Sequence, residues 1–377
     1  EALGARRPRR VRRTVRQGLW VVTATTLPCA LLLAFIAPVL ELLGQAPEVA
    51  RAAERYLRAA AWGLPFAAAV MVLRGFVTSF GHTRAVLLVM AAAVVINALS
   101  NYALMFGHFG LPRLELVGAG ISSSLVNIGS FIALALVAGQ RPPYRRHRVL
   151  ARLWKPDWAT FATVLRIGLP IGLMLLLEVG MFSAAALLVG TLGPVPLAAH
   201  HVALQLCAII FMIPLGLSQA ATIRVALAAG ARDARRVRLV GRLAVASTVA
   251  IMAVPALAFW TIPGWLVRPF LADPTEQAAL AATAVALLQV AALFQVADGL
   301  QVVGGGLLRG LKDTAIPLLY AAIGYWLCGL GSAALWLWLA DGDARGVWFG
   351  LLAGLTTTAA LALHRFFRFS ARRLPAP

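Results

Sequence analysis

The chain has 377 residues, of which 61% are hydrophobic and only 13% charged, with a mean hydropathy of +0.84. A water-soluble domain carries about 25% charged residues, so a soluble globular fold is excluded. The formal net charge of +20 has no soluble domain to present it, which argues against nucleic acid as a partner.

In chain order, a basic stretch, GARRPRRVRRTVR (Gly4 to Arg16), leads into an apolar run over 17–40. Further runs long enough to cross a bilayer, about 20 residues each, are predicted over 59–80, 84–107, 117–139, 162–190, 197–228, 240–267, 278–308, 314–340 and 346–368. The fold class is therefore an all-α polytopic membrane protein with ten helices. Cys29, Cys207 and Cys328 lie singly inside apolar runs, which supports neither a disulfide framework nor a thiolate metal site. Arginine clusters at Arg6–Arg16, Arg141–Arg152, Arg232–Arg242 and Arg365–Arg373. The alternate connections are poor in positive charge: Thr191–Pro196 has none, and Asp341–Arg345 is net acidic. By the positive-inside rule the basic loops are cytoplasmic, as are both ends of this chain. Basic residues are almost all arginine, with lysine only at Lys155 and Lys312, which fits a GC-rich bacterial genome.

The basic stretch returns as GARDARRVRLVGR (Gly230 to Arg242), identical at eight of thirteen positions. Pro28 pairs with Pro255, and Pro47 with Pro274, both at a spacing of 227. An internal parallel repeat of this kind builds two pseudo-symmetric lobes. The expected division is an N-terminal lobe at 1–139, a cytoplasmic linker at 140–160 and a C-terminal lobe at 161–377. Trp154 and Trp158 suit a linker at the headgroup level. Two helices precede the second copy of the basic stretch and none precedes the first. Equivalent lobes would thus place about 70 further residues, with two helices, before Glu1.

Twelve of fourteen carboxylates fall in loops or at helix ends; Glu178 and Asp298 do not. A carboxylate at the centre of a membrane helix costs about 2.5–3.5 kcal/mol on insertion scales, which marks both as candidates for cation binding. The plain alternative is a neutral carboxyl bonded to a neighbouring helix. Pro170 and the triplet Gly304-Gly305-Gly306 lie close by, where bends or close helix approach are expected. Asn97 and Asn101, one turn apart, are candidate cavity-lining residues, as are Gln205, Gln295 and Gln301. Phe294, one turn before Asp298, could stack on a cation or simply pack. His200 and His201 read as interfacial. No catalytic triad, zinc helix or phosphate loop stands out, so no enzyme activity and no cofactor are expected.

The segments RIGLPIGLMLLLEVGMFSAAALLVGTLGPVPLAAHHVALQL and LFQVADGLQVVGGGLLRGLKDT resemble the second lobe of the multidrug and toxic compound extrusion (MATE) family, NorM-like branch. LRGFVTSFGHTRAV and INALSNYALMFGHFGLPRLELVGAG resemble its first lobe. The resemblance implies twelve helices in the complete fold. It also implies a monomeric exporter of organic cations in the bacterial inner membrane, driven by Na⁺ or H⁺. Glu178 and Asp298 match the family's second-lobe acids, and Asn97 and Asn101 fall among its first-lobe polar residues. The family's first helix usually carries an Asp, and the resemblance implies that the matching helix would lie before Glu1. A lipid-linked oligosaccharide flippase, a membrane-embedded transferase and an inactive truncated transporter stay open as alternatives.

Overall fold

A computed structural model describes residues 2–373 apart from 6, 43, 82, 150, 152, 154–155, 272–276 and 340–341. Trp154, Pro274 and Asp341 therefore lie outside the described residues. Fourteen α-helices follow in order: α1 (Pro8–Ala34), α2 (Ala37–Leu42), α3 (Pro47–Ala61), α4 (Leu64–Thr78), α5 (Arg84–Phe106), α6 (Glu115–Gln140), α7 (Trp158–Gly190), α8 (Pro194–Gly230), α9 (Ala234–Thr261), α10 (Pro263–Val267), α11 (Ala278–Gly310), α12 (Ala315–Ala321), α13 (Gly331–Leu339) and α14 (Ala344–Arg373). A π-helical stretch, Ala322–Leu330, joins α12 to α13. Nine helices among the described residues are long and apolar enough to cross a membrane, counting α12 to α13 as one. The pair α3 and α4, bent by 44°, makes a tenth. This is a multi-span helical membrane protein. Leu31, Leu32, Leu187 and Val254 lie exposed on its helices, the reverse of what water would tolerate and what lipid requires.

Several spans start earlier than the sequence predicts, two of them by more than two helical turns. α1 begins at Pro8 rather than 17, because arginine is a good helix former and proline suits the first helical position. α3 begins at Pro47 rather than 59. Its Arg51, Glu54, Arg55 and Arg58 hide the helix from an apolar-run search, while Arg58 and Glu54, one turn apart, pair at 2.7 Å.

The chain divides into two compact units, residues 6–165 and 166–377, with residues 3–5 grouped with the second. In the first, α6 packs against α3, α4 and α5, and α1 against α3 and α4. The 3₁₀ turn Tyr144–His147 docks here, its buried Tyr144 ring edge-on to Phe76 and Phe80 at 5.9 and 5.2 Å. In the second, α11 is the central helix, packed against α8, α9 and α14 and buried along most of its length.

The repeat is written in the backbone. α1 contains Pro28 and ends at Phe35 with φ −129° and ψ 43°. α9 contains Pro255 and ends at Ile262 with φ −132° and ψ 39°. A short helix follows in each case, α2 or α10. The adjacent mismatches in the repeated stretch are two ways to start a helix. Pro8 opens α1 with no side-chain cap, whereas Asp233 accepts the Arg236 backbone N–H at 2.8 Å and caps α9.

Candidate cation site

The second unit brings the deep polar residues together around α11. Asp298 is 6% exposed, and its Oδ1 is buried with no protein hydrogen-bond partner. Both amide atoms of Gln295 are in the same condition, as is Oε1 of Gln301. The Gln301 amide donates to the hydroxyl of Tyr325, a fully buried residue of the π-helical stretch. Such stretches are frequent at functional sites.

Glu178 reaches this group from α7. Met174, Met181, Ala185 and Val189 form the buried stripe of that helix, and Glu178 shares their face at helical spacing. Opposite them on α11, a Cβ on Gly305 would lie 3.9 Å from the Met174 methyl, and the Phe182 and Phe294 rings are 6.1 Å apart. α7 therefore runs antiparallel to α11, and Glu178, midway between Met174 and Phe182, stands level with the stretch from Asp298 to Gln301. The two carboxyl groups act on each other electrostatically. Trp326 secures α7 at this height by donating to Leu177 O at 3.2 Å.

A third charge completes the group. Arg309 Nη2 donates to Ser218 Oγ at 3.2 Å, and its charge acts on both Glu178 and Tyr325. Arg309, Ser218 and Tyr325 do not stand out in the sequence. An arginine eleven residues after a buried aspartate was the available signal. It sits near the end of its helix, where basic residues ordinarily mark topology.

The glycine triplet gives close approach rather than a bend, since α11 is continuous through it. Successive residues are about 100° apart around a helix, so the three glycines meet three neighbours. Gly304 faces Ala362 of α14, Gly305 faces Met174 of α7 and Gly306 faces Ser218 of α8. A Cβ on Gly306 would lie 2.2 Å from Ser218 Oγ. Pro170 likewise lies inside an unbroken α7.

Phe294 is 1% exposed, its ring taken up by Phe182 and, at 5.1 Å, Trp348; packing, not a free face, is its situation. Gln205 is exposed. His200 is fully buried and accepts a hydrogen bond at Nδ1 from Trp348 at 3.1 Å, while His201 beside it is exposed.

In the first unit, Asn97 and Asn101 form a neutral cluster. Asn101 Nδ2 donates to Asn97 Oδ1 at 3.2 Å, and Asn97 Nδ2 to Ser122 Oγ at 3.4 Å. Asn101 Oδ1 is buried without a partner.

The MatE family model matches residues 1–103 and 170–335. A protein of Bradyrhizobium diazoefficiens named "Probable multidrug resistance protein NorM" is 41% identical over 99% of this chain and 80% of its own length. A protein of Mesorhizobium japonicum with the same name is 42% identical over 97% and 79%. The chain belongs to the MatE family. Solved MATE structures share the fold at low identity. A eukaryotic MATE transporter superposes with a TM-score of 0.82 at 22% identity, covering 99% of this chain and 83% of that one. An outward-facing multidrug resistance MATE family transporter gives 0.87 at 18%, covering 98% and 81%. Membership in the MatE family places the chain among multi-span efflux transporters.

Proposed function

We propose that this MatE protein exports organic cations from the bacterial cytoplasm, across the inner membrane, in exchange for Na⁺ or H⁺. The observation that carries this reading is the pairing of Glu178 and Asp298. These are isolated deep carboxylates from α7 and α11, 120 residues apart in the chain, that lie within electrostatic reach of each other inside an apolar bundle. In low dielectric a carboxylate attracts any available cation strongly. If coupling ion and drug compete for the pair, loading one releases the other. Each ion shifts the inward- or outward-open state only by its differential affinity for the two. Rocking of two lobes around such a site gives antiport. The basic segments face the cytoplasm, the protein works as a monomer, and no cofactor or covalent chemistry is required. The names of the relatives support a drug-like cargo. A flippase for an anionic lipid-linked sugar would need a cavity of the opposite sign, and here two acids outweigh one arginine.

Efflux of a fluorescent cationic dye from cells tests this, comparing the unsubstituted protein with Glu178→Gln and Asp298→Asn at matched expression. Loss of efflux in both variants is the expected result, and imposing Na⁺ or pH gradients separately then names the coupling ion. Efflux unchanged in both variants would remove the acid pair from the mechanism.

A further inference from the structure

Arg309 belongs to the last turn of α11, yet its guanidinium does not leave along the helix axis. It turns back toward the N-terminal side, as helical side chains do, and Nη2 meets Ser218 Oγ of α8 at 3.2 Å. Ser218 is itself fully buried and donates to Val302 O at 2.7 Å. It occupies the space that a side chain on Gly306 would fill. The glycine thus seats the serine, and the serine holds the guanidinium level with Val302 to Gly306. That is one to two turns from Asp298, with Glu178 and Tyr325 within reach of its charge.

The charge balance follows. When both are ionised, as cation binding requires, Glu178 and Asp298 contribute two negative charges, and Gln295, Gln301 and Tyr325 contribute none. Arg309 contributes one positive charge that no accessible pH removes. Uncompensated charge in a low-dielectric interior costs several kcal/mol. One monovalent cation brings the sum to zero, whereas a divalent cation leaves it positive. Without Arg309, two carboxylates beside the buried amide oxygens of Gln295 and Gln301 would make a donor set suited to Ca²⁺. The geometry points to Arg309 as the residue that holds this buried polar group, with both acids ionised, at one net negative charge and so restricts it to a single monovalent cation. This inference rests on the reading of Glu178 and Asp298 as the cation-binding pair.

The test uses the purified full chain in detergent. Intrinsic tryptophan fluorescence, to which Trp326, bonded to α7 beside Glu178, contributes, is followed during titration with NaCl, with acid and with CaCl₂, and Trp326→Phe identifies the share of the signal that comes from this site. Arg309→Gln should tighten Ca²⁺ binding by at least roughly tenfold, the effect of removing a unit charge about 10 Å away at an effective dielectric near 20. Arg309→Lys should behave as the unsubstituted protein does. Glu178→Gln brings the group to zero net charge and should lose the monovalent response to Na⁺ or acid. The double variant Glu178→Gln/Arg309→Gln restores one net negative charge and should regain that response. This second-site recovery is not expected of a merely structural arginine, and it decides the matter should Arg309→Gln alone elute as an aggregate. Ca²⁺ affinity unchanged in a folded Arg309→Gln, or a double variant no better than Glu178→Gln, overturns the inference. A different outcome, in which Glu178→Gln and Asp298→Asn respond to Na⁺ and acid as the unsubstituted protein does, rejects the cation-binding pair itself.

Discussion

Trp348 of α14 donates its indole N–H to Nδ1 of His200 on α8 at 3.1 Å, and both side chains are fully buried. Nδ1 is therefore the acceptor, and in the neutral ring the proton sits on Nε2, which has no partner of its own. Trp348→Phe leaves Nδ1 unpaired and should cost about 1–3 kcal/mol, read as a lower melting temperature in detergent. Adding His200→Leu removes the stranded group and should recover part of the loss. If Trp348→Phe melts with the unsubstituted protein, this bond contributes nothing.

The glycine triplet of α11 offers an internal control. Gly306→Ala would push a methyl group to 2.2 Å from Ser218 Oγ and 2.8 Å from its carbonyl oxygen. Overpacking of this kind costs about 1–3 kcal/mol. Gly305→Ala meets nothing closer than 3.9 Å. It should be neutral or stabilising by up to about 1 kcal/mol, since alanine is the better helix former. Gly306→Ala should melt below the unsubstituted protein and Gly305→Ala should not.

The turn after α4 repeats after α11. Gly81 has φ +82° and Lys312 has φ 59°, each two residues before the threonine that precedes the next helix. A Cβ on Gly81 would touch nothing within 4 Å, so any penalty there is conformational. Gly81→Ala should cost about 1–2 kcal/mol and Gly81→Asn less, because asparagine tolerates left-handed backbone. Equal melting temperatures for the two would sink this account.

At the start of α7, Asp157 accepts the Thr160 backbone N–H at 3.1 Å and lies 3.7 Å from Arg13. That backbone bond first, then a Thr160 side-chain bond and the charges of Arg13 and Arg16, hold its carboxyl below the usual carboxylate range. A depressed value means the ionised form is favoured by folding. The contribution is present above the ordinary carboxylate pKa and is lost as pH falls through the lower, folded value. The protection factor of the Thr160 amide, its exchange rate relative to the unstructured rate at the same pH, should thus stay high at neutral pH and fall only under acid. In Asp157→Ala it should be low at neutral pH as well.

Span number and the two acids were legible in the sequence for simple reasons. Bilayer thickness fixes the length of an apolar run, and a lone carboxylate within one is conspicuous. Helices that carry charge escaped the same search, as the early starts at Pro8 and Pro47 show. Arg309 escaped for a related reason. One-dimensional position cannot distinguish an arginine that points to lipid headgroups from one that folds back to Ser218.

The sequence by itself determined a multi-span helical chain, its duplicated half and the two deep carboxylates, because each rests on local properties: run length, repeated residues and the cost of a buried charge. Tertiary structure alone decided which side chains meet. It set Glu178 level with Asp298 through the antiparallel contact of α7 with α11. It turned Gly306 into the seat of Ser218, brought Arg309 into the acids' field, and buried His200 against Trp348. These depend on helix packing between segments far apart in the chain, which no local pattern encodes.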